Sequence, residues 1–111
     1  MARLAIQKNV GVRMRARNAV RHADSAAEFL IVLGNSKRLA IVAYLLEEEL
    51  SVGAIANRVK LSQSALSQHL ARLRQLELVE TRRERQMIYY SCRSERVRML
   101  VDTLDRIFEH A

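Results

Sequence analysis

Proline and tryptophan are absent from the 111-residue chain, cysteine occurs once and glycine three times. A lone Cys92 excludes an internal disulfide framework and a multi-cysteine zinc site, and it fits a reducing cytoplasm. Aromatic residues make up 5% of a chain that is 50% hydrophobic, so the apolar content is mostly Ala, Leu, Val and Ile. That balance favours helices over a β-sandwich. Long apolar runs are also missing: the longest, Leu39 to Leu46, has eight residues, against the roughly 20 that a membrane-spanning helix needs. No contact with a membrane is expected. The length leaves room for one core. A domain this small buries only about 60–70% of the surface its unfolded chain exposes, so a symmetric dimer that hides more apolar area is a natural expectation.

Acidic residues are the scarcer charge. Twelve Asp and Glu face nineteen Lys and Arg, for a net charge of +7, and most of the cations are Arg. The guanidinium fork matches phosphate oxygens, so a basic domain of this kind is a candidate polyanion binder. Solubility alone would also explain a positive balance, and the distribution of the charge must decide. Residues 1–23 carry Arg3, Lys8, Arg13, Arg15, Arg17 and Arg21 and no acid until Asp24. They read as a basic N-terminal arm or helical extension ahead of the domain at 24–111. A Ser-rich transit peptide and the apolar stretch of a secretion signal are both lacking, and Met14 is an alternative start.

Five helical segments follow. Ser25-Ala-Ala-Glu28 has capping-box spacing and opens an apolar stretch that Gly34 closes. Asn35 or Ser36 caps the next helix, with Leu39, Val42, Leu45 and Leu46 on one face. The run Glu47-Glu48-Glu49 reads as a solvated face or loop without chemistry. Ser51 caps a short helix whose Val52, Ile55, Ala56 and Val59 keep helical spacing. Ser62 caps another, with Leu66, Leu70 and Leu73 as its inward stripe. Ser94 opens the last, where Val97, Leu100, Val101, Leu104, Ile107 and Phe108 form a stripe too wide for one small core. Between the fourth and fifth helices, Leu78-Val-Glu-Thr-Arg-Arg and Met87-Ile-Tyr-Tyr-Ser are rich in β-branched and aromatic residues and read as a hairpin. Glu84-Arg85-Gln86 lacks the Asn-Gly or Asp-Gly signal of a two-residue turn, so a longer tip is expected.

Two short helices joined by a three- or four-residue turn, the second followed by a basic hairpin, make a winged helix-turn-helix. The expected fold is mainly α with a β-hairpin wing. With Leu66, Leu70 and Leu73 turned inward, the opposite side of the second helix displays Gln63, Ser64, Ser67 and Gln68. Glutamine can pair bidentately with adenine and serine can donate or accept, so these are residue types that read base edges. Arg72 and Arg74 further along the helix, and Arg82, Arg83 and Arg85 on or beside the wing, are placed for backbone phosphates. No Ser-His-Asp, Cys-His or paired-carboxylate spacing supports catalysis, so no enzyme is expected. The apolar flank of His69 suggests a satisfied, half-buried histidine. Tyr89 and Tyr90 must point to opposite faces of their strand, and Met14, Met87 and Met99 read as gap fillers or surface.

The blocks Leu33-Gly-Asn-Ser-Lys-Arg-Leu-Ala-Ile-Val, Leu50-Ser-Val-Gly-Ala-Ile-Ala, Leu61 through Arg74, and Leu78-Val-Glu-Thr-Arg-Arg through Ile88-Tyr-Tyr-Ser resemble the ArsR/SmtB family of bacterial transcriptional repressors. The resemblance covers about residues 25–108. It implies a homodimer built through the first and last helices that binds an inverted repeat in double-stranded promoter DNA. Two positions depart from the usual pattern: Ser36 stands where many members have Pro, and Arg85 where many have Gly. Many members sense metals, but the motif that would carry two Cys has Ser51 and Gly53 here. The last helix has Asp102 and Asp105 without the histidine pairs of the zinc-sensing version, and His110 lies at its end. Neither a metal nor another cofactor is therefore expected. Cys92 reads as a small buried hydrophobe. The alternatives are a redox- or ligand-responsive member of the family, or a basic module that binds protein or RNA.

Overall fold

The structure, a computed structural model, describes residues 16–18 and 20–109. The expectations for residues 1–15, Met14 included, and for His110 lie outside the described residues. The chain divides into two units, residues 1–31 and 32–111. In the first, residues 16–18, Val20 and Arg21 are helical, followed by α1 (Ala23–Leu33), whose last two residues, Val32 and Leu33, belong to the second. Ser25 is not a cap, contrary to expectation. His22 N–H donates to the Asn18 carbonyl at 3.1 Å and Ala26 N–H to the His22 carbonyl at 2.8 Å. Helical bonding is thus established before Ser25, and no free amide is left there for its hydroxyl to cap.

The second unit contains α2 (Ser36–Glu47), β1 (Leu50–Ser51), α3 (Val52–Val59), α4 (Gln63–Gln75), β2 (Glu80–Glu84), β3 (Met87–Ser91) and α5 (Glu95–Phe108). Four helices start where a side chain takes up their free amides. Asn35 Oδ1 accepts from Lys37 N and Arg38 N at 3.0 and 3.1 Å, which assigns the α2 cap to Asn35 rather than Ser36. Ser51, Ser62 and Ser94 each accept from the amide three residues on, at 3.2 Å. Such caps contribute about 1 kcal/mol each.

The core gathers Ile41, Val42 and Leu45 of α2, Ile55, Ala56 and Val59 of α3, Leu66, Leu70 and Leu73 of α4, and Leu78, Val79, Tyr90, Cys92 and Val97. Ile41 replaces the expected Leu39 and Leu46, which are half-buried, because α2 packs on α3, α4, α5 and β3 and buries more than one face. The hairpin exists, joined by a strand too short for a sequence pattern to reveal. The antiparallel sheet has the order β1-β3-β2, with Leu50 opposite Tyr90 and Ser51 opposite Tyr89. Leu78 and Val79 precede β2 instead of belonging to it; they are buried, and Leu78 N–H closes the end of α4 by donating to the Leu73 carbonyl at 3.0 Å.

The fold is mainly helical with a small antiparallel sheet. Of the wide α5 stripe, Val97 is buried and Leu100, Val101 and Leu104 are half-buried, while Ile107 and Phe108 remain more than 60% exposed. Among the described residues no single helix is long and apolar enough to cross a membrane.

Candidate nucleic-acid interface

The turn Lys60-Leu61-Ser62 joins α3 to α4 and sets the direction of the second helix. Lys60 caps α3 in the left-handed conformation (φ 58°, ψ 52°), and Leu61 N–H returns to the Ala56 carbonyl at 3.1 Å. Lys37 strengthens the same end: its ammonium donates to the Val59 carbonyl at 2.6 Å, a cation at a helix C-terminus where the dipole favours it. Leu66, Leu70 and Leu73 then fasten α4 to the core. The opposite side is left to solvent.

Gln63, Ser64, Ser67 and Gln68 are all exposed on that side. Neither glutamine amide has a hydrogen-bond partner among the described residues, so both keep their full donor and acceptor capacity. The serines are more constrained. Ser67 Oγ donates to the Gln63 carbonyl at 2.9 Å, and Ser64 Oγ lies 3.4 Å from Ser62 Oγ. Ser67 therefore presents its lone pairs to an incoming donor. Arg72, also exposed, donates to Gln75 Oε1 at 3.2 Å, a neutral acceptor that leaves its charge unpaired. The N-terminal turn of α4 adds the partial positive end of the helix.

His69 faces inward from the same helix. Arg38 Nη1 lies 3.3 Å from its Nδ1. A guanidinium can only donate, so Nδ1 accepts and the ring is neutral with its proton on Nε2. Burial first, and then the positive charges of Arg38 and Lys37, hold its pKa below the ordinary imidazole value. Arg38 also donates to the Val32 carbonyl at 2.5 Å, so this cation is spent inside the fold. The expectation of a satisfied, half-buried histidine agrees with this geometry.

The wing differs from expectation at its tip. Glu84 pairs with Met87, so the loop is the two residues Arg85 and Gln86 rather than a longer one. Arg85 has φ 58°, while Gln86 is not among the residues with positive φ. A positive φ at the first loop residue alone is the sign pattern of a type II′ turn, where glycine is usual because it has no Cβ to clash. The strand pairing imposes the turn on an arginine. Arg85→Gly is therefore expected to raise the stability of the free protein by about 0.5–1 kcal/mol, read as a higher urea midpoint, while removing one cation from the wing tip.

The three wing arginines are not equivalent. Arg83 and Arg85 are exposed and make no ion pair among the described residues. Arg82 instead meets Glu49 through Nη2 at 2.7 Å and through Nε at 3.1 and 3.2 Å, and meets Glu84 through Nη1 at 2.9 Å. Its guanidinium carbon sits 4.9 Å from the centre of the Tyr89 ring. These hydrogen bonds hold the Glu49 carboxyl below the usual carboxylate range. The acidic run is solvated, as expected, but two of its members are held in ion pairs, since Glu48 is in turn paired with Arg58. Nothing in the local sequence signals these partners; Glu49 and Arg82 lie 33 residues apart. Tyr89 and Tyr90 divide as expected, Tyr90 into the core and Tyr89 beneath Arg82. Met87 and Met99 are both surface residues.

Cys92 is buried, and burial pushes its thiol pKa up despite a hydrogen bond from the Ser94 backbone. A protonated, enclosed thiol is a poor nucleophile. Among the described residues no group of three or more His, Cys, Asp or Glu side chains is placed to hold a metal ion.

Comparison with known proteins agrees with the geometry. Residues 35–81 match the pattern of the family described as bacterial regulatory protein, arsR family. The nodulation protein NolR of Rhizobium meliloti is 51% identical over 86 residues, which cover 78% of this chain and 70% of that one. The transcriptional activator HlyU of Vibrio cholerae is 41% identical over 98 residues, covering 88% of this chain and 91% of its own. The crystal structure of NolR from Sinorhizobium fredii superposes with a TM-score of 0.79 at 49% identity, over 85% of this chain and 94% of that chain. A homodimeric winged helix-turn-helix DNA-binding domain from Mycobacterium bovis superposes with a TM-score of 0.70 at 30% identity, over 82% of this chain and 84% of that one. The capped helix pair, the hairpin that follows it and this identity across most of the chain lead to one conclusion: the protein belongs to the ArsR family of bacterial regulatory proteins.

Proposed function

We propose that this protein is a sequence-specific DNA-binding transcriptional regulator, a repressor, that binds an inverted-repeat operator in promoter DNA as a homodimer in the bacterial cytoplasm, at the nucleoid. It is a binding protein and not an enzyme. The observation that carries the reading is the α4 surface: two uncommitted glutamine amides and two serines stand at its N-terminal half, with unpaired cations at Arg72, Arg83 and Arg85. Gln63, Ser64, Ser67 and Gln68 specify bases in the major groove, and the arginines fix register on the phosphates. Residues 1–23 serve as a basic N-terminal arm or helical extension preceding the domain at 24–111 in the sequence.

The dimer is formed through the first and last helices. Support comes from apolar side chains left in solvent: Leu30 and Ile31 on α1, and Met99, Ile107 and Phe108 on α5, are each more than half exposed. A monomer would carry that area at a cost of about 25 cal/mol per Å². The homodimeric relative from M. bovis is consistent with the same solution. Regulation through Cys92 is disfavoured by its burial, so Cys92→Ser leaves operator binding unchanged under reducing conditions.

The test selects preferred sites from a random duplex pool and changes each base in turn. Two-fold related half-sites with centres about 34 Å apart are expected. Gln63→Ala or Gln68→Ala is expected to lose about 1–3 kcal/mol at the preferred site, at symmetric positions in both halves, with affinity for random sequence barely moved. Variants that keep the wild-type ranking of sequences would remove these residues from the readout and transfer specificity to DNA shape sensed by the wing.

A further inference from the structure

The strand register divides the wing into two faces of different charge. Alternation along β2 puts Glu80, Arg82 and Glu84 on one face and Thr81 and Arg83 on the other. Arg82 lies opposite Tyr89, and Tyr89 lies opposite Ser51, across all three strands of the sheet. The Arg82 side chain follows that row. It passes over the Tyr89 ring and ends in a fork on Glu49, just before β1, with Glu84 taking its remaining nitrogen. The acids on this face outnumber Arg82, and Glu80 lies 3.9 Å from Arg93. Approaching phosphate would meet carboxylates here, whereas Arg83 on the other face and Arg85 at the tip offer unpaired charge.

We infer that Arg82 is a positioning residue that ties the outer strand of the wing across Tyr89 to the α2–β1 turn, and that it neutralises no phosphate. The inference deepens the DNA-binding reading proposed above and rests on it for its second test. An exposed ion pair ordinarily contributes little to stability. This one combines a guanidinium fork, a second carboxylate and a stacked ring, features that make a surface pair geometrically definite. Its role is to set where the wing, and with it Arg83 and Arg85, stands relative to α4.

Two measurements on the full chain decide it. In the free protein, amide exchange of β2 is expected to accelerate several-fold in Arg82→Gln and in Glu49→Gln, with the double variant no faster than either single one. Arg82→Lys should behave like Arg82→Gln, because an ammonium cannot make the fork. Unchanged exchange in the single variants would overturn the clamp. The second measurement follows affinity for a 30-base-pair random-sequence duplex as salt is raised. Arg83→Gln is expected to lower the slope of log affinity against log salt by about 0.9 per protomer. Arg82→Gln should weaken binding to the selected site several-fold and leave the slope unchanged. A slope that drops in Arg82→Gln as it does in Arg83→Gln would make Arg82 a phosphate contact and overturn the inference. A wild-type slope near zero would instead sink the DNA-binding reading, while the exchange experiment still decides the clamp.

Discussion

Raising salt from 50 to 200 mM is expected to weaken DNA binding by about 10³ to 10⁴-fold. The size follows from counterion release: a dimer that neutralises about six to eight phosphates has a slope of log affinity against log salt near 0.9 for each, and a fourfold change in salt multiplies through that slope. The cations available are Arg72, Arg74, Arg83 and Arg85 on each protomer, all exposed and free of ion pairs among the described residues. Arg38 is left out because it is bonded to Val32 and His69, and Arg82, in line with the inference above, because it is paired with two carboxylates. Equilibrium titrations of labelled duplex at four or five salt concentrations measure the slope. A nearly salt-independent affinity would leave the basic surface without its proposed partner.

Leu66→Ala is expected to cost about 2–5 kcal/mol of stability. Leu66 is completely buried beneath the turn of α4 that carries Gln63 and Ser67, alongside Ile41 and Ile55 in the same core, and the helices around it leave little freedom to collapse onto a cavity. In a domain of this size that loss lowers the melting temperature by about 10 °C or more, and it is a large part of a total that is typically about 5–15 kcal/mol. Urea unfolding at fixed protein concentration measures it, since stability of a dimer depends on concentration. The preference among DNA sequences should survive wherever the variant is folded, because the residues proposed to read bases are untouched. A loss below about 1 kcal/mol would mean that α4 is fastened mainly by something other than its leucine stripe.

The two expectations depend on separate surfaces, the exposed arginines of α4 and the wing for the first and the packed face of α4 for the second. Salt dependence belongs to side chains that leave the fold almost unaffected, and Leu66 to the packing that makes their positions definite. The wing repeats this division on a single strand, where Arg82 is bound into the protein and its neighbour Arg83 is not.

Features that depend on a few consecutive residues were legible from the chain alone. The caps at Ser51, Ser62 and Ser94, the Leu66, Leu70 and Leu73 stripe, the polar quartet opposite it and the helix-hairpin-helix order all follow from helical spacing and local hydrogen bonding, which need no distant partner. Tertiary structure decided whatever required one. Ser25 had the spacing of a cap, yet the helix already running before it had taken the amides it would have bonded. The tip lacked glycine, yet pairing of Glu84 with Met87 imposed a two-residue turn on Arg85. Arg82 and Arg83 are adjacent and chemically identical in sequence; the strand pleat sends them to opposite faces, and only one face brings Glu49 within reach from 33 residues away. A charge read from sequence is only a potential contact, because the partner that consumes or spares it is chosen by the folded arrangement of the chain.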